Sequence, residues 1–447
     1  MRSEPALLTT GNPAKRIILF ALPLFASELL HTFYSMTDAF IVGRWLGLNG
    51  LAAVGASYSL VWFVTGFIIG LTGGFIVITT QRVGAGDEQG IRSSIAAGLM
   101  LSTAATVILT LIFLPLHRPI LSAMRTPLEI MDGTSGYTMI TFMGIAAFVF
   151  TSFFTGIIYA MGDSLTPVIF MLIATFCNIV LDILFVVVIP WGIRGAAAAT
   201  VISEIVAGIL SVAFILKKFR RFLPGRRDWR TGRKDAGRHL SLGIAIALQG
   251  SIIGAGNILV QAATNGLGAM TIAAVSAAQR VRGLNMMPLF TLSRAAATYT
   301  AQNYGAKKMD RVYSGLFQAC MISLGLGVFM AVLNQFTGAP IASLFLKDSP
   351  EAVAPATQYI LFTGYTVFIL GIMLVFRSTL QGLGMKTAPI LSGVMETVMS
   401  ILAAFILIPQ LGFIGVCLVN PLSWLASGIP LYIAFGILKK RFGKEVI

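Results

Sequence analysis

Twelve long apolar runs, separated by short turns, dominate the sequence and leave few folds open to it. A helix crosses the hydrocarbon core with about 20 mostly apolar residues at 1.5 Å rise each. The runs fall at roughly 16–42, 51–80, 93–115, 135–160, 166–189, 195–216, 239–267, 270–297, 312–337, 355–380, 388–409 and 414–438. Turn residues punctuate them: Gly47, Asn49 and Gly50 after the first, Gly84 to Asp87 after the second, Gly162 and Asp163 after the fourth. A strand barrel would instead show short alternating segments, and none is visible. The predicted class is therefore an all-α integral membrane protein with twelve transmembrane helices. Charge agrees, since only 11% of the 447 residues are Asp, Glu, Lys or Arg, against roughly a quarter in soluble domains. That excludes a soluble multi-domain enzyme.

The run after Lys15 and Arg16 continues past Glu28 to about Val42 without a small-residue cleavage site, which reads as a retained first span. Cys177, Cys320 and Cys417 are an odd number inside apolar runs and read as buried free thiols. His31, His117 and His239 are scattered, with no metal-ligand spacing. No cofactor is expected.

A net charge of +15 in so apolar a chain needs an explanation. With twelve spans, the side shared by both termini receives 23 of the 32 Lys and Arg residues. The opposite side holds Arg44, Arg118, Arg125, Arg194 and Lys347, while Arg280, Arg282, Arg294 and Arg377 fall within or at the ends of spans. The positive-inside rule then places both termini in the cytoplasm. Ten of the basic residues lie between Lys217 and Arg238, read as a topogenic linker against anionic headgroups. No nucleic-acid partner is needed.

A shift of about 221 residues lays the second half on the first. Leu51 to Val54 meet Ile272 to Val275, Gln81 and Gly84 meet Gln302 and Gly305, and Gly162 and Pro167 meet Gly384 and Pro389. Ile189, Pro190 and Gly192 to Gly195 meet Ile408, Pro409 and Gly412 to Gly415. Each repeat holds six spans, so the halves share one orientation. The expected organisation is a lobe at 1–216, a basic cytoplasmic linker at 217–238 and a second lobe at 239–447. Two six-helix bundles suit a secondary transporter working by alternating access. A channel would show rings of like residues or a filter loop, and neither is present.

Acidic residues within spans are costly, about 2.5 to 3.5 kcal/mol each at mid-bilayer on insertion scales. Five occur: Glu28, Asp38, Asp182, Glu204 and Glu396. Asn178 precedes Asp182 by four positions and shares its helix face. The first and fifth spans both run outward and reach Asp38 and Asp182 late, with Thr200 at similar depth in the sixth. Two carboxylates, an amide and a hydroxyl at one level suit a small hard cation or a shared proton. A structural reading, in which the acids cap helix ends or bond to backbone, stands beside it. Glu396 admits a second titrating or substrate-pairing site, or a salt bridge to Arg280, Arg282 or Arg377. Asn257, Gln261 and Asn265 form a polar stripe that faces either a substrate cleft or a neighbouring helix.

These segments together resemble the multidrug and toxic compound extrusion (MATE) antiporters, of the multidrug/oligosaccharidyl-lipid/polysaccharide flippase superfamily. The resemblance is carried by PLFASELLHTFYSMTDAFIVGRWLG, QRVGAG, GDSLTP, NIVLDILFV with GIRGAAAATVIS, and MPLFTLSRAAATYTAQNYGA, over essentially the whole chain. It implies a V-shaped pair of six-helix lobes exporting organic, often cationic compounds in exchange for Na+ or H+. It also implies cation-coupling roles for Asp38, Asn178, Asp182, Thr200 and Tyr137. Two positions depart from the pattern: Ser152 stands where many relatives have asparagine, and Arg282 where similar relatives often carry an acid. The expected function is multidrug efflux from the plasma (inner) membrane by a monomer, with Na+ at Asp38, Asn178, Asp182 and Thr200 or a proton in its place. A further coupling or substrate site is expected at Glu396, Asn257, Gln261 and Arg280. The alternative is a lipid-linked oligosaccharide flippase, whose diphosphate would need the embedded arginines. No catalytic constellation for an enzyme is present within the spans.

Overall fold

In the computed structural model the described residues are 5–347 and 349–443, with side chains described to residue 440. Among them every regular element is helical. Helix α1 (Pro13–Gly84) carries the first two spans in 72 residues, broken only at Gly47. That residue has φ 70° and ψ −166°, a conformation open to glycine because it lacks a Cβ. Helices α2 (Glu88–Ala123), α3 (Leu128–Met143) and α4 (Ile145–Ala160) follow, and α3 and α4 form one span bent by 47°. Then come α5 (Leu165–Asp182), a π-helical turn at Ile183–Val188, and α6 (Ile193–Lys218). The second half holds α7 (Arg226–Asn265), α8 (Ala269–Gly305), α9 (Met309–Phe345), α10 (Val353–Gly382), α11 (Thr387–Leu411) and α12 (Phe413–Gly443).

Nine of the described helices are long and apolar enough to cross a membrane, ten when α3 and α4 count as one span. Helix α8 has the length, but Arg280, Arg282, Asn285 and Arg294 keep it below that apolarity. With α1 supplying two spans, the twelve predicted from the sequence are all present as helix.

The chain divides into two compact units, one of Met1–Leu7 and Pro23–Ala247, the other of Leu8–Leu22 and Leu248–Ile447. These bounds differ from the expected 1–216, 217–238 and 239–447. The basic stretch is not a separate linker. Phe219 and Phe222 are buried in the first unit's core with Phe75, Phe153 and Ile157. Helix α7 has already begun at Arg226, and a Cβ on Gly232 would lie 2.6 Å from the Ser93 carbonyl oxygen of α2. Ionic contacts from Arg92 to Asp228 and from Arg82 to Asp235 hold the same face. Further along, α7 meets α1 backbone to backbone at Gly70, Gly74 and Gly243, which extends the first unit to Ala247.

The opening of α1 behaves in the reciprocal way. In the second unit the Gln302 side chain accepts from the Leu8 amide at 2.7 Å, Lys308 donates to the Thr9 carbonyl, and Arg311 donates to the Leu8 and Gly11 carbonyls. The Gln318 side chain accepts from the Ala14 amide at 2.7 Å. Each unit is thus completed by the segment that opens the other half of the chain.

Two aspartates fix the turns of the first unit outside the spans. Asp87 caps α2 by accepting from the Gly90 amide at 2.8 Å and pairs with Arg82. That capping bond holds its carboxyl below the ordinary range. At Asp163, burial pushes the carboxyl up, but the bonds from Thr166 and Lys218 outweigh it and the net shift is downward.

Gly243→Val is expected to lower the melting temperature of the detergent-purified protein, since its added carbons meet the Leu71 carbonyl and the Phe75 ring. Overpacking of this kind costs about 1–3 kcal/mol. Gly250→Ala, with open space around its Cβ, is the matched control and leaves the melting temperature unchanged or slightly higher. Asp163→Ala is expected to cost about 1 kcal/mol, the usual loss of a helix cap. Because the folded carboxyl is the stronger acid, that contribution is present above the unfolded carboxylate's pKa of about 3.9 and disappears as the pH falls through the lower folded value. A melting series from pH 7 to below pH 4 measures it.

Candidate functional site

In the first unit, α1, α3, α5 and α6 converge on a polar cluster buried within apolar helices. Asp38 on α1 is 7% exposed, and Asn178 and Asp182 on α5 are fully buried. Spacing by four residues puts Asn178 one turn before Asp182 on the same face. The Asp38 and Asp182 carboxylates lie within hydrogen-bonding reach of each other. Tyr34, one turn before Asp38, donates to the Thr200 hydroxyl at 3.0 Å, and Thr200 donates to the Ala196 carbonyl at 3.1 Å. Tyr137 from α3 is buried and faces Thr200, Asp38 and Asp182.

The hydrogen bonding of this cluster is incomplete. Asp38 Oδ1, both carboxylate oxygens of Asp182, both amide atoms of Asn178 and the Thr175 hydroxyl have no hydrogen-bond partner. Buried polar groups are almost always bonded, and each one left unmet costs about 1–3 kcal/mol, more when charged. Two carboxylates in mutual contact without a donor between them are complementary to something positive, either a proton or a small cation with oxygen ligands. Directly after Asp182 the helix widens into the π turn Ile183–Val188, a feature that recurs at functional positions in other helices.

The structure therefore brings together Asp38, Asn178, Asp182, Thr200 and Tyr137. Tyr34 joins them through its bond to Thr200, and nothing in its own sequence spacing singles it out. Of the other intramembrane acids, Glu204 lies one turn after Thr200 on α6, within electrostatic range of Tyr34. Glu204 is partly buried and its carbonyl accepts from Thr151, while Glu28 is also partly buried. Ser152, one of the departures from the family pattern, shares a 2.7 Å hydroxyl contact with Thr72.

The second unit handles its charge differently. Arg377, 8% exposed, donates to Glu396, to Ser392 at 2.9 Å and to Ser427 at 2.6 Å. Of the two readings left open for Glu396, the structure has the salt bridge, and its partner is Arg377. The other three residues expected beside Glu396 do not join it. Asn257 is exposed, Gln261 donates to Asn265 at 2.8 Å, and Arg280 lies over the Phe345 ring at 5.2 Å. Among the described residues no group of three or more His, Cys, Asp or Glu side chains is gathered as for a metal.

Asn178→Leu is expected to keep or raise the melting temperature of the purified protein in buffer free of sodium and at alkaline pH, because it removes two buried atoms that lack partners. A purely structural amide would instead cost a few kcal/mol when replaced.

A family model described as MatE matches residues 23–184 and 245–406, two equal segments in the relation of the internal repeat. The chain is 27% identical over 378 residues to a probable multidrug resistance protein, YpnP, of Bacillus subtilis, covering 84% of each chain. It is 24% identical to an FAD transporter of Shewanella oneidensis, over 97% of this chain and 96% of that one. Among solved structures, it superposes with a TM-score of 0.88 on an outward-facing multidrug resistance MATE transporter of the MOP superfamily. That match is 21% identical and covers 98% of both chains. A polar cluster buried in apolar helices, a duplicated six-span plan and a family model that matches once in each half point the same way: the chain belongs to the MatE family of membrane transporters.

Proposed function

We propose that the protein is a secondary active exporter that expels small organic compounds, cationic and amphipathic in character, in exchange for Na+ or H+. The observation that carries this reading is the contact between Asp38 and Asp182 without a donor to either Asp182 oxygen. A proton or sodium ion bound there relieves the repulsion between the carboxylates. Asn178 and Thr200 supply further oxygens, and Tyr34 and Tyr137 hold Thr200 in place. Coupling follows from linkage. When the cation and the organic substrate favour opposite states of the transporter, each lowers the other's affinity by the same factor, and the cation gradient drives substrate outward.

The names of relatives agree in kind. A probable multidrug resistance protein of Thermotoga maritima is 26% identical over 90% of this chain. The plasma membrane, with both termini in the cytoplasm, is the proposed setting, and a monomer is the proposed working unit. The distribution of Lys and Arg supports that orientation. The alternative of a lipid-linked oligosaccharide flippase needs cationic partners for a diphosphate. Arg377 is engaged by Glu396 and two serines, which leaves Arg280, over the Phe345 ring, and Arg282 as the arginines that reading would use.

Efflux of a panel of fluorescent organic cations from proteoliposomes, with sodium and pH gradients imposed separately, tests the proposal. Asp38→Asn is expected to abolish gradient-driven efflux while the protein still inserts and elutes as a single species. Full efflux by that variant would overturn the assignment.

A further inference from the structure

A cavity of about 310 Å³ opens in the first unit where α1 turns at Gly47. Its lining includes Leu46, Asn49 and Gly50 of α1, Glu129 and Gly133 of α3, and Ile193 of α6. It lies at the end of the unit opposite the Asp87 and Asp163 turns, because α1 runs from Gly47 through Gly84 to reach Asp87. Glu129 is exposed and is the one charged residue in that lining.

Between the cavity and the polar cluster the same helices carry an apolar layer. On α1 the order is Leu46 at the cavity, then Val42 and Ile41, then Asp38. On α6 it is Ile193, then Ala196 and Ala197, then Thr200. Val186, one turn beyond Asp182, closes the layer from the π segment. Ile41, Val42, Val186, Ala196 and Ala197 are all buried and form one packed cluster, and Leu46, Ile193 and Tyr137 belong to it. From Leu46 to Asp38 is eight residues, about 12 Å along the helix, and from Ile193 to Thr200 about 10 Å. Cavity, collar and carboxylates are therefore stacked in register on two helices, with α3 and the π turn completing the wall. A bare cation does not cross such a collar while it is packed, because no polar atom replaces its water. The π turn sets how Val186 is rotated relative to Asp182, so the collar depends on the geometry of this segment.

We infer that this cavity is the vestibule through which the coupling cation reaches Asp38 and Asp182, with Glu129 concentrating cations at its mouth and the Ile41–Val42–Val186 collar as the gate. The inference rests on the proposed cation-coupled transport and adds its route of entry. An exposed carboxylate at the mouth adds attraction for cations without a built coordination site, and it offsets the Arg194 guanidinium that lies against α3 at Gly136 beside the lining residue Ile193. Its effect therefore belongs to capture rather than to the maximal rate.

The test uses the full chain in proteoliposomes, with ethidium efflux driven by whichever gradient, sodium or pH, powers the wild type. Glu129→Gln is expected to raise the half-saturating cation activity about fivefold with the maximal rate unchanged, the scale of one partly screened charge. The shift shrinks when potassium chloride is raised from about 10 mM to about 1 M, as the screening length falls from about 30 Å to about 3 Å. Val186→Ala, checked for folding by its elution profile, is expected to speed dissipation of the imposed gradient in the absence of ethidium by several fold. Unchanged half-saturation in Glu129→Gln, or a loss confined to maximal rate, overturns the vestibule, as does an unaltered leak in Val186→Ala. Asp38→Asn runs in parallel: if it is inactive while Glu129→Gln is normal, the route alone fails. If wild-type efflux ignores both gradients, the coupling reading fails with it.

Discussion

Everything in this structure follows from the cost of an unmet polar group where water is absent. That cost requires backbone amides to be satisfied within helices, and it makes each ionisable side chain in a span stand out against the apolar residues around it. The two units meet it in different ways. In the second, Glu396 is neutralised by Arg377, and Ser392 and Ser427 complete the bonding. In the first, Asp38 and Asp182 face each other with Asn178 unbonded one turn before Asp182. One repeat closes its own network and the other leaves a complement for a cation. Duplication supplied two similar folds, and their buried charges are met in different ways.

The span pattern was legible in the sequence because hydrocarbon thickness sets helix length. Asp38 and Asp182 were legible because carboxylates are rare in such runs, and Asn178 because a spacing of four shares a face. Tyr34 was not, since hydroxyl residues are common in transmembrane helices and its place appears only with its partner Thr200. Glu396 could be narrowed to a short set of arginines, but choosing Arg377 required knowing how α10 packs on α11 and α12.

The boundaries between units were the least legible part. Residues 217–238 carry ten cations and read as a loop, yet Gly232 and the glycines of α1 and α7 let that segment dock closely on the first unit. Likewise, nothing local in Leu8 to Gly11 foretells bonds to Gln302, Lys308 and Arg311, some 300 positions away. Close backbone approach and side-chain capture at long range leave only glycines and scattered polar residues in the sequence, and these have many other uses.

The central claim is that the Asp38–Asp182 pair holds the cation that drives transport. Equilibrium binding to the purified protein tests it most directly, by radioactive sodium uptake at fixed pH and by proton release when an organic cation is added to the unbuffered protein. One of the two signals is expected at about one ion per chain in the wild type, and it disappears in Asp182→Asn with the elution profile unchanged. An Asp182→Asn protein that binds sodium and releases protons as the wild type does would contradict the account.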